Sequence, residues 1–462
     1  MELRVQLPSS ILSFRVTATI DQQQELTMQN VDTLLHARWV VPIVPREIVH
    51  EHYSVAINGG KIVAILPTSD AKIRYDSPNI IELPDHVLLP GLVNAHTHSP
   101  MALFRGMADD MLLMDWLQKH IWPSEAAMLN PEFILDGMRL AMAEMIRGGT
   151  TCFNEHYFYP EITSQIVAEI GMRARVGLIV LPVTTAWAKD ADECFAKAEA
   201  VLAAGSPSDL ISYSMAPHSP YMCDNEMLIR VKDLSDKHQL PIHMHVHEPA
   251  SEIRQSLDTY AVRPINRLQH LGLVSPMLQC VHFTQFIDED LDALRESGAH
   301  IIHCPESNLK LNSGYCPVQK FLDAGINVAL GTDGAASNND LDMFGEMRTA
   351  AFIGKTIAND PTATSAFTVL EMATLGGAKA LHLADHIGSI EAGKAADLIA
   401  VDLRDLNTQP VYNPVSQLVY ACNSRQVIDV WIAGTRQLQR GKLTKLDKES
   451  ILNNCKERLA RR

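Results

Sequence analysis

The chain lacks any apolar run approaching the roughly 18–20 residues that a membrane-spanning helix requires. It is also short of basic residues: 39 Lys and Arg stand against 54 Asp and Glu, a formal net charge of -15. A surface of that sign repels phosphate backbones, so nucleic acid and anionic membranes are poor partner classes. The one basic cluster, Lys456 to Arg462, reads as a solvated helix end. The eight cysteines contain no Cys-x-x-Cys pair, which argues against a disulfide framework and for reduced thiols. The first thirty residues lack the apolar core and small-residue cleavage site of a signal peptide. These absences predict a cytoplasmic protein. Strand pattern begins only near Val31, so residues 1–30 are expected to be an extension, with Met28 as the candidate native start.

What is present is a 462-residue chain with 47% hydrophobic residues, enough for one large core and a smaller accessory unit. Short β-like runs open it at Thr33 to Val44, Tyr53 to Ile57 and Lys61 to Leu66, the last two joined by the hairpin signal Asn58-Gly59-Gly60. Similar runs, Ala396 to Asp402 and Val427 to Gly434, close it. Two β-rich ends predict one small sandwich built from residues 31–90 and 384–445, followed by a helical tail over 446–462. Between them, residues 91–383 alternate helical patterns with apolar strands, the signature of parallel βα units. Candidate strands are Leu88–Ala95, Thr150–Asn154, Ala174–Leu181, Leu210–Ala216, Ile242–His247, Leu278–His282, His300–Cys304 and Asn327–Gly331. Helices are expected over Pro131 to Arg147 and Asn225 to His238. The fold class is α/β, an eight-stranded (β/α)8 barrel of the TIM type with a composite β-sandwich.

In such barrels the active site lies at the C-terminal strand ends. Strand one ends in His96-Thr97-His98, and histidines two apart on a strand share a face and can bind one metal ion. Strand five ends in His243-Met244-His245-Val246-His247-Glu248, strand six in His282 and strand eight in Asp333. His243, His245 and His247 share one face, and only one or two of them can reach an ion. His270, His300 and His303 read as ordinary hydrogen-bonded histidines. Asp333 follows an apolar strand, where a buried carboxylate is costly unless paired with a cation. A metal ion would supply that charge.

This constellation resembles the amidohydrolase superfamily. The motifs Pro90-Gly91-Leu92-Val93-Asn94-Ala95-His96-Thr97-His98, Pro217-His218-Ser219-Pro220-Tyr221, His245-Val246-His247-Glu248, Ser307-Asn308-Leu309-Lys310-Leu311 and Gly331-Thr332-Asp333-Gly334 are similar to its 5-methylthioadenosine/S-adenosylhomocysteine deaminase branch, which is related to triazine chlorohydrolases. The resemblance implies a metal-dependent hydrolytic deaminase of adenine nucleosides working through a metal-bound hydroxide. Its alternatives are a triazine chlorohydrolase or aminohydrolase and a guanine deaminase. A non-enzymatic scaffold would have lost ligands, and here none is missing.

Carried over, the resemblance makes His96, His98, His245 and Asp333 ligands of one divalent ion, zinc or alternatively iron. It selects His245 because that residue precedes Glu248 by three. Glu248 becomes the proton shuttle, Asp333 a catalytic as well as a ligating group, and His282 a hydrogen-bonding partner of the reacting atoms. Among the substrate contacts implied, Glu125 would hold the ribose hydroxyls, His218 would touch the substrate from the strand-four loop, Trp116 would wall the pocket and Arg173 would meet the carboxylate of a larger substrate. A single-ion site fits the lack of a lysine at the end of strand four. The stretch Pro182 to Lys189 has no arginine where relatives that bind the homocysteine carboxylate present one, although Lys189 offers a charge. Methylthioadenosine is therefore favoured over S-adenosylhomocysteine, with adenosine itself an alternative, and a homo-oligomer is expected.

Overall fold

The computed structural model describes residues 28–460, so the expectations for residues 1–27, including the choice of native start, lie outside the described residues. Besides the two-residue parallel pair Gln29–Asn30 and Tyr75–Asp76, four strands lead into the barrel: β1 (Thr33–Val40), β2 (His50–Asn58), β3 (Lys61–Pro67) and β4 (Ile80–Pro90). Gly59 and Gly60 form the two-residue β2–β3 turn with φ of 57° and 75°. That left-handed pair is what glycine supplies at least cost.

The barrel strands follow: β5 (Leu92–Thr97), β6 (Thr150–Glu155), β7 (Arg173–Val180), β8 (Ile211–Pro217), β9 (Ile242–Val246), β10 (Leu278–His282), β11 (His300–His303) and β12 (Val328–Leu330). All neighbours pair in parallel, in chain order. The seam between β12 and β5 closes through Asp333 N to the His96 carbonyl at 3.0 Å. Asn94 reinforces it, accepting from Thr332 N at 3.0 Å and donating to Thr332 Oγ1 at 2.8 Å. Gly331 permits the approach, since a Cβ there would lie 2.7 Å from the His96 backbone nitrogen.

The chain then returns as β13 (Leu398–Asp402), β14 (Val427–Ile432), β15 (Thr435–Gln439) and β16 (Lys442–Leu443). These join the opening strands in one eight-stranded mixed sheet, ordered β16-β15-β14-β13-β4-β1-β2-β3. The sheet curls around Leu35, Val55, Ile62, Leu88, Leu398 and Trp431, which form a core of their own.

One boundary differs from the sequence reading. The apolar run Leu88 to Ala95 is two strands, because Pro90 has no N–H to extend a ladder and Gly91 turns the chain from the mixed sheet into the barrel. Gly91 N donates to the Asp397 carbonyl at 2.9 Å.

Helix Pro131–Arg147 starts where Asn130 accepts from Phe133 N at 2.9 Å, and helix Asn225–His238 where Asp224 accepts from Met227 N at 2.9 Å. The first buries Phe133, Met138, Met142 and Met145 against the barrel. Helix Lys448–Ala460 closes the described chain. All eight cysteines are free, and only Cys455 is not fully buried. Among the described residues, no helix is long and apolar enough to cross a membrane.

Candidate metal centre and active-site cavity

The polar strand ends meet at one mouth of the barrel. His96 Nε2 and His98 Nε2 lie 3.2 and 3.3 Å from Asp333 Oδ1, and His245 Nε2 lies 3.3 Å from His98 Nε2. One donor atom from each of the four residues falls within 4.8 Å of all the others.

Hydrogen bonds on the far side of two rings decide what this cluster suits. His98 Nδ1 donates to the His156 carbonyl, and His245 Nδ1 to the His218 carbonyl at 2.7 Å. A carbonyl only accepts, so each Nδ1 carries a proton, and in the neutral ring that a metal ligand requires each Nε2 turns a lone pair inward. Lone pairs at such distances beside a carboxylate repel unless a cation lies among them. Three imidazoles and one carboxylate are a donor set for zinc or another divalent first-row ion. Burial lowers His96 to about 4, so it stays neutral as a ligand must. Burial works to raise Asp333, but the imidazoles of His96 and His98 facing it hold it well below the usual carboxylate range. Ser307 and Ser337 donate to its other oxygen at 2.6 and 2.9 Å.

Above the cluster opens a cavity of about 620 Å3, lined by His98, His245 and Asp333 and by Glu125, Trp116, His218, Glu248 and His282. Burial raises Glu248, against the opposing pull of His282. His282 Nδ1 is held by Asn308 Oδ1 at 2.8 Å, while its Nε2 lies 4.0 Å from Glu248 Oε2. Burial raises Glu125 to about 7, although Tyr157 donates to it at 2.6 Å. Burial also pushes His218 down to about 3, leaving a neutral ring.

The three strand-five histidines separate. His245 joins the cluster, and His243 sits behind it, with its Nε2 2.8 Å from His96 Nδ1. The strand ends at Val246, and His247 adopts φ 58°, which carries its ring out to Ile265 N and the Gln285 carbonyl. His282 and Asp333 leave their strands the same way, with φ of 75° and 60°. Such conformations cost about 1–3 kcal/mol each and collect at functional sites.

Arg173 requires correction. It opens β7 at the opposite end of the barrel, where Nε and a terminal nitrogen bond Asp397 at 2.7 and 3.1 Å. It ties the barrel floor to the mixed sheet and does not line the cavity. Sequence reasoning also passed over His156 and Tyr157, which follow β6 and line the cavity. The strand-end rule applied to β6 points to both.

Residues 87–436 match the Amidohydrolase family. A curated relative from Teredinibacter turnerae, named 5-methylthioadenosine/S-adenosylhomocysteine deaminase, is 44% identical over 425 residues, covering 92% of this chain and 96% of that protein. The crystal structure of an adenosine deaminase from Xanthomonas campestris with bound zinc superposes with a TM-score of 0.93 at 48% identity, covering 94% of this chain and 99% of that one. Atrazine chlorohydrolase from Arthrobacter aurescens, complexed with zinc, shares the fold at a TM-score of 0.85 and 22% identity, covering 92% and 99%. With the family match spanning the whole barrel and the return strands Leu398–Asp402 and Val427–Ile432, and with the Teredinibacter relative covering 92% of the chain at 44% identity, the chain belongs to the amidohydrolase family.

Proposed function

We propose that the protein is a hydrolytic deaminase of adenine nucleosides that prefers 5'-methylthioadenosine, using one divalent ion, zinc or alternatively iron, held by His96, His98, His245 and Asp333. The observation that carries this reading is the pairing, in one cavity, of the four-donor cluster and Glu248 with Glu125. That pairing suits a substrate with an electron-poor ring at one end and vicinal hydroxyls at the other. The names of the Teredinibacter and Xanthomonas relatives support it.

A divalent ion at the cluster would supply a Lewis acid that brings the pKa of water from 15.7 to about 7. The protein does the rest. Glu248, raised by burial, takes one proton from the attacking water and delivers it to the ring nitrogen beside the amino-bearing carbon, then carries the second, from the hydroxyl so formed on that carbon, to the amino group, which departs as ammonia. His282 stands near enough to Glu248 to bond the same reacting atoms. Neutral His218 offers a hydrogen bond to the base, and Trp116 walls the cavity. Glu125 accepts from the ribose hydroxyls. Water and nucleoside become the inosine analogue and ammonia.

The preference for a neutral 5' substituent rests on the wall. Among the described residues lining the cavity there is no lysine or arginine; the stretch in question contributes Val183, Thr184, Thr185 and Ala186. Lys189 is exposed and lies 3.9 Å from Asp190. The same reading takes the protein to be a cytoplasmic homo-oligomer, which light scattering on the purified chain tests for its oligomeric part.

The deciding experiment is ammonia release by zinc-loaded protein on methylthioadenosine, S-adenosylhomocysteine, adenosine, guanine and a chlorotriazine. The expected result is the highest kcat/KM on methylthioadenosine. Turnover confined to guanine or the triazine would overturn the nucleoside assignment.

A further inference from the structure

Two histidines of the cluster have Nδ1 tied to a backbone carbonyl, but His96 does not. Its Nδ1 meets His243 Nε2 at 2.8 Å, with the rings edge-on and their centroids 4.9 Å apart. With a divalent ion taking the lone pair of His96 Nε2, an atom that would otherwise donate to Asp333 Oδ1 at 3.2 Å, the proton of its neutral ring belongs on Nδ1, and His243 must accept it on Nε2. A carbonyl is an acceptor by construction. His243 is one only while its own proton stays on Nδ1.

Barrels of this kind fill their interior with branched apolar side chains, yet here a polar layer lies under the cluster. Gln279 is the register partner of His243 on β10 and accepts from Asn154 Nδ2 at 2.9 Å. Asn154 is the register partner of Arg175 on β7. Arg175 and Gln279 donate to the successive carbonyls of Leu381 and Ala380, each at 2.6 Å. His243 Nδ1 is buried without a partner among the described residues, as are Arg175 Nε, Asn154 Oδ1 and Ser214 Oγ.

We propose that His243 is a positioning residue: through the Nδ1–H···Nε2 bond it fixes the tautomer and ring orientation of His96, so that Nε2 is the atom offered to the metal. This rests on the metal-centre reading above. Partners of this kind are worth about 10–100-fold in metal affinity.

The test compares zinc affinity, by chelator competition, in the wild type, His243→Leu and His243→Gln, with circular dichroism to confirm folding. The glutamine can accept from His96 and the leucine cannot. The expected result is a loss of about 10–100-fold in His243→Leu with most of it restored in His243→Gln, and an unchanged KM for methylthioadenosine at saturating zinc. Equal affinity in folded His243→Leu would overturn this inference and leave the metal centre standing. A wild type that binds no divalent ion would overturn both. Two ions per wild-type chain, one of them lost in His243→Leu, would instead make His96, His156 and His243 a second metal site, since their donor atoms also fall within 4.8 Å of one another. Nitrogen-15 NMR of the zinc-loaded wild type needs no variant: a proton on His96 Nδ1 is expected, and one on Nε2 would overturn the inference.

Discussion

Tyr157 Oη donates to Glu125 Oε1 at 2.6 Å, tying the segment after β6 to helix Trp122–Met128 across the cavity. Burial nevertheless raises Glu125 to about 7. Below that pH the group is largely protonated; above it, the carboxylate can accept both ribose hydroxyls. KM for methylthioadenosine should therefore fall as pH rises through about 7. Glu125→Gln should raise KM about 10–100-fold, the scale of hydrogen bonds to a charged group, and remove that pH limb. Turnover of 9-methyladenine, which has no ribose, should not change. Steady-state kinetics from pH 5.5 to 8.5 on both substrates would show it, and an equal loss on both would refute the ribose role.

Glu252 governs the turn that presents Glu248. Its two oxygens accept from His247 N at 3.0 Å and Glu248 N at 2.9 Å, and burial raises it to about 8 despite those bonds. The folded state thus holds this proton more tightly than the unfolded chain, whose glutamate titrates near 4.5. The stabilisation is complete below about 4.5 and is lost as pH rises through about 8. Glu252→Gln places an N–H against a backbone N–H and should cost about 1–3 kcal/mol. The Tm gap between wild type and variant should be larger at pH 5 than at pH 8.5. A gap that widens with pH would show that Glu252 is ionised in the fold.

Much of this site was legible because strand geometry is regular. His96 and His98 share a face by period two, and Asp333 and His282 follow from the rule that chemistry gathers at C-terminal strand ends. Period two was silent on which of His243, His245 and His247 meets the others. That choice depends on where β9 stops and on the left-handed turn at His247, neither of which leaves a pattern in side-chain polarity. The split at Pro90-Gly91 was hidden for a related reason: both strands are apolar, so the change of sheet leaves no break in hydrophobicity. Arg173 was readable and misplaced. It immediately precedes the strand predicted from Ala174, so strand direction alone puts it on the barrel floor.

That floor position gives the third prediction. Arg173 and Asp397 form a buried bidentate pair, and Asp397 also accepts from Ala433 N at 2.7 Å. Removing one partner strands a buried charge, so Arg173→Ala should destabilise the fold by about 3–5 kcal/mol. The ratio of kcat/KM on methylthioadenosine to that on S-adenosylhomocysteine should stay unchanged in whatever protein folds. Urea denaturation and the two-substrate assay check both parts. A ratio shifted toward methylthioadenosine would return Arg173 to the substrate site.

The cavity wall gives the last. Val183 lines the cavity and is 47% exposed, so a longer side chain there can reach the mouth without entering the core. Val183→Arg would place a planar fork of donors where the described lining carries no basic residue, and a guanidinium binds a carboxylate through charge-assisted bonds. One such bond contributes about 1.5–3 kcal/mol, so kcat/KM on S-adenosylhomocysteine should rise about tenfold or more. Methylthioadenosine, with no carboxylate to meet the charge, should gain nothing. Val183→Met separates bulk from charge: it should leave both substrates near their wild-type values. The gain should also shrink in high salt, because a rim charge is screened within a Debye length of about 8–10 Å at 0.10–0.15 M ionic strength. Equal improvement by arginine and methionine would mean that packing, not charge, sets the preference. No improvement with arginine would mean that the homocysteine end leaves the cavity by another route.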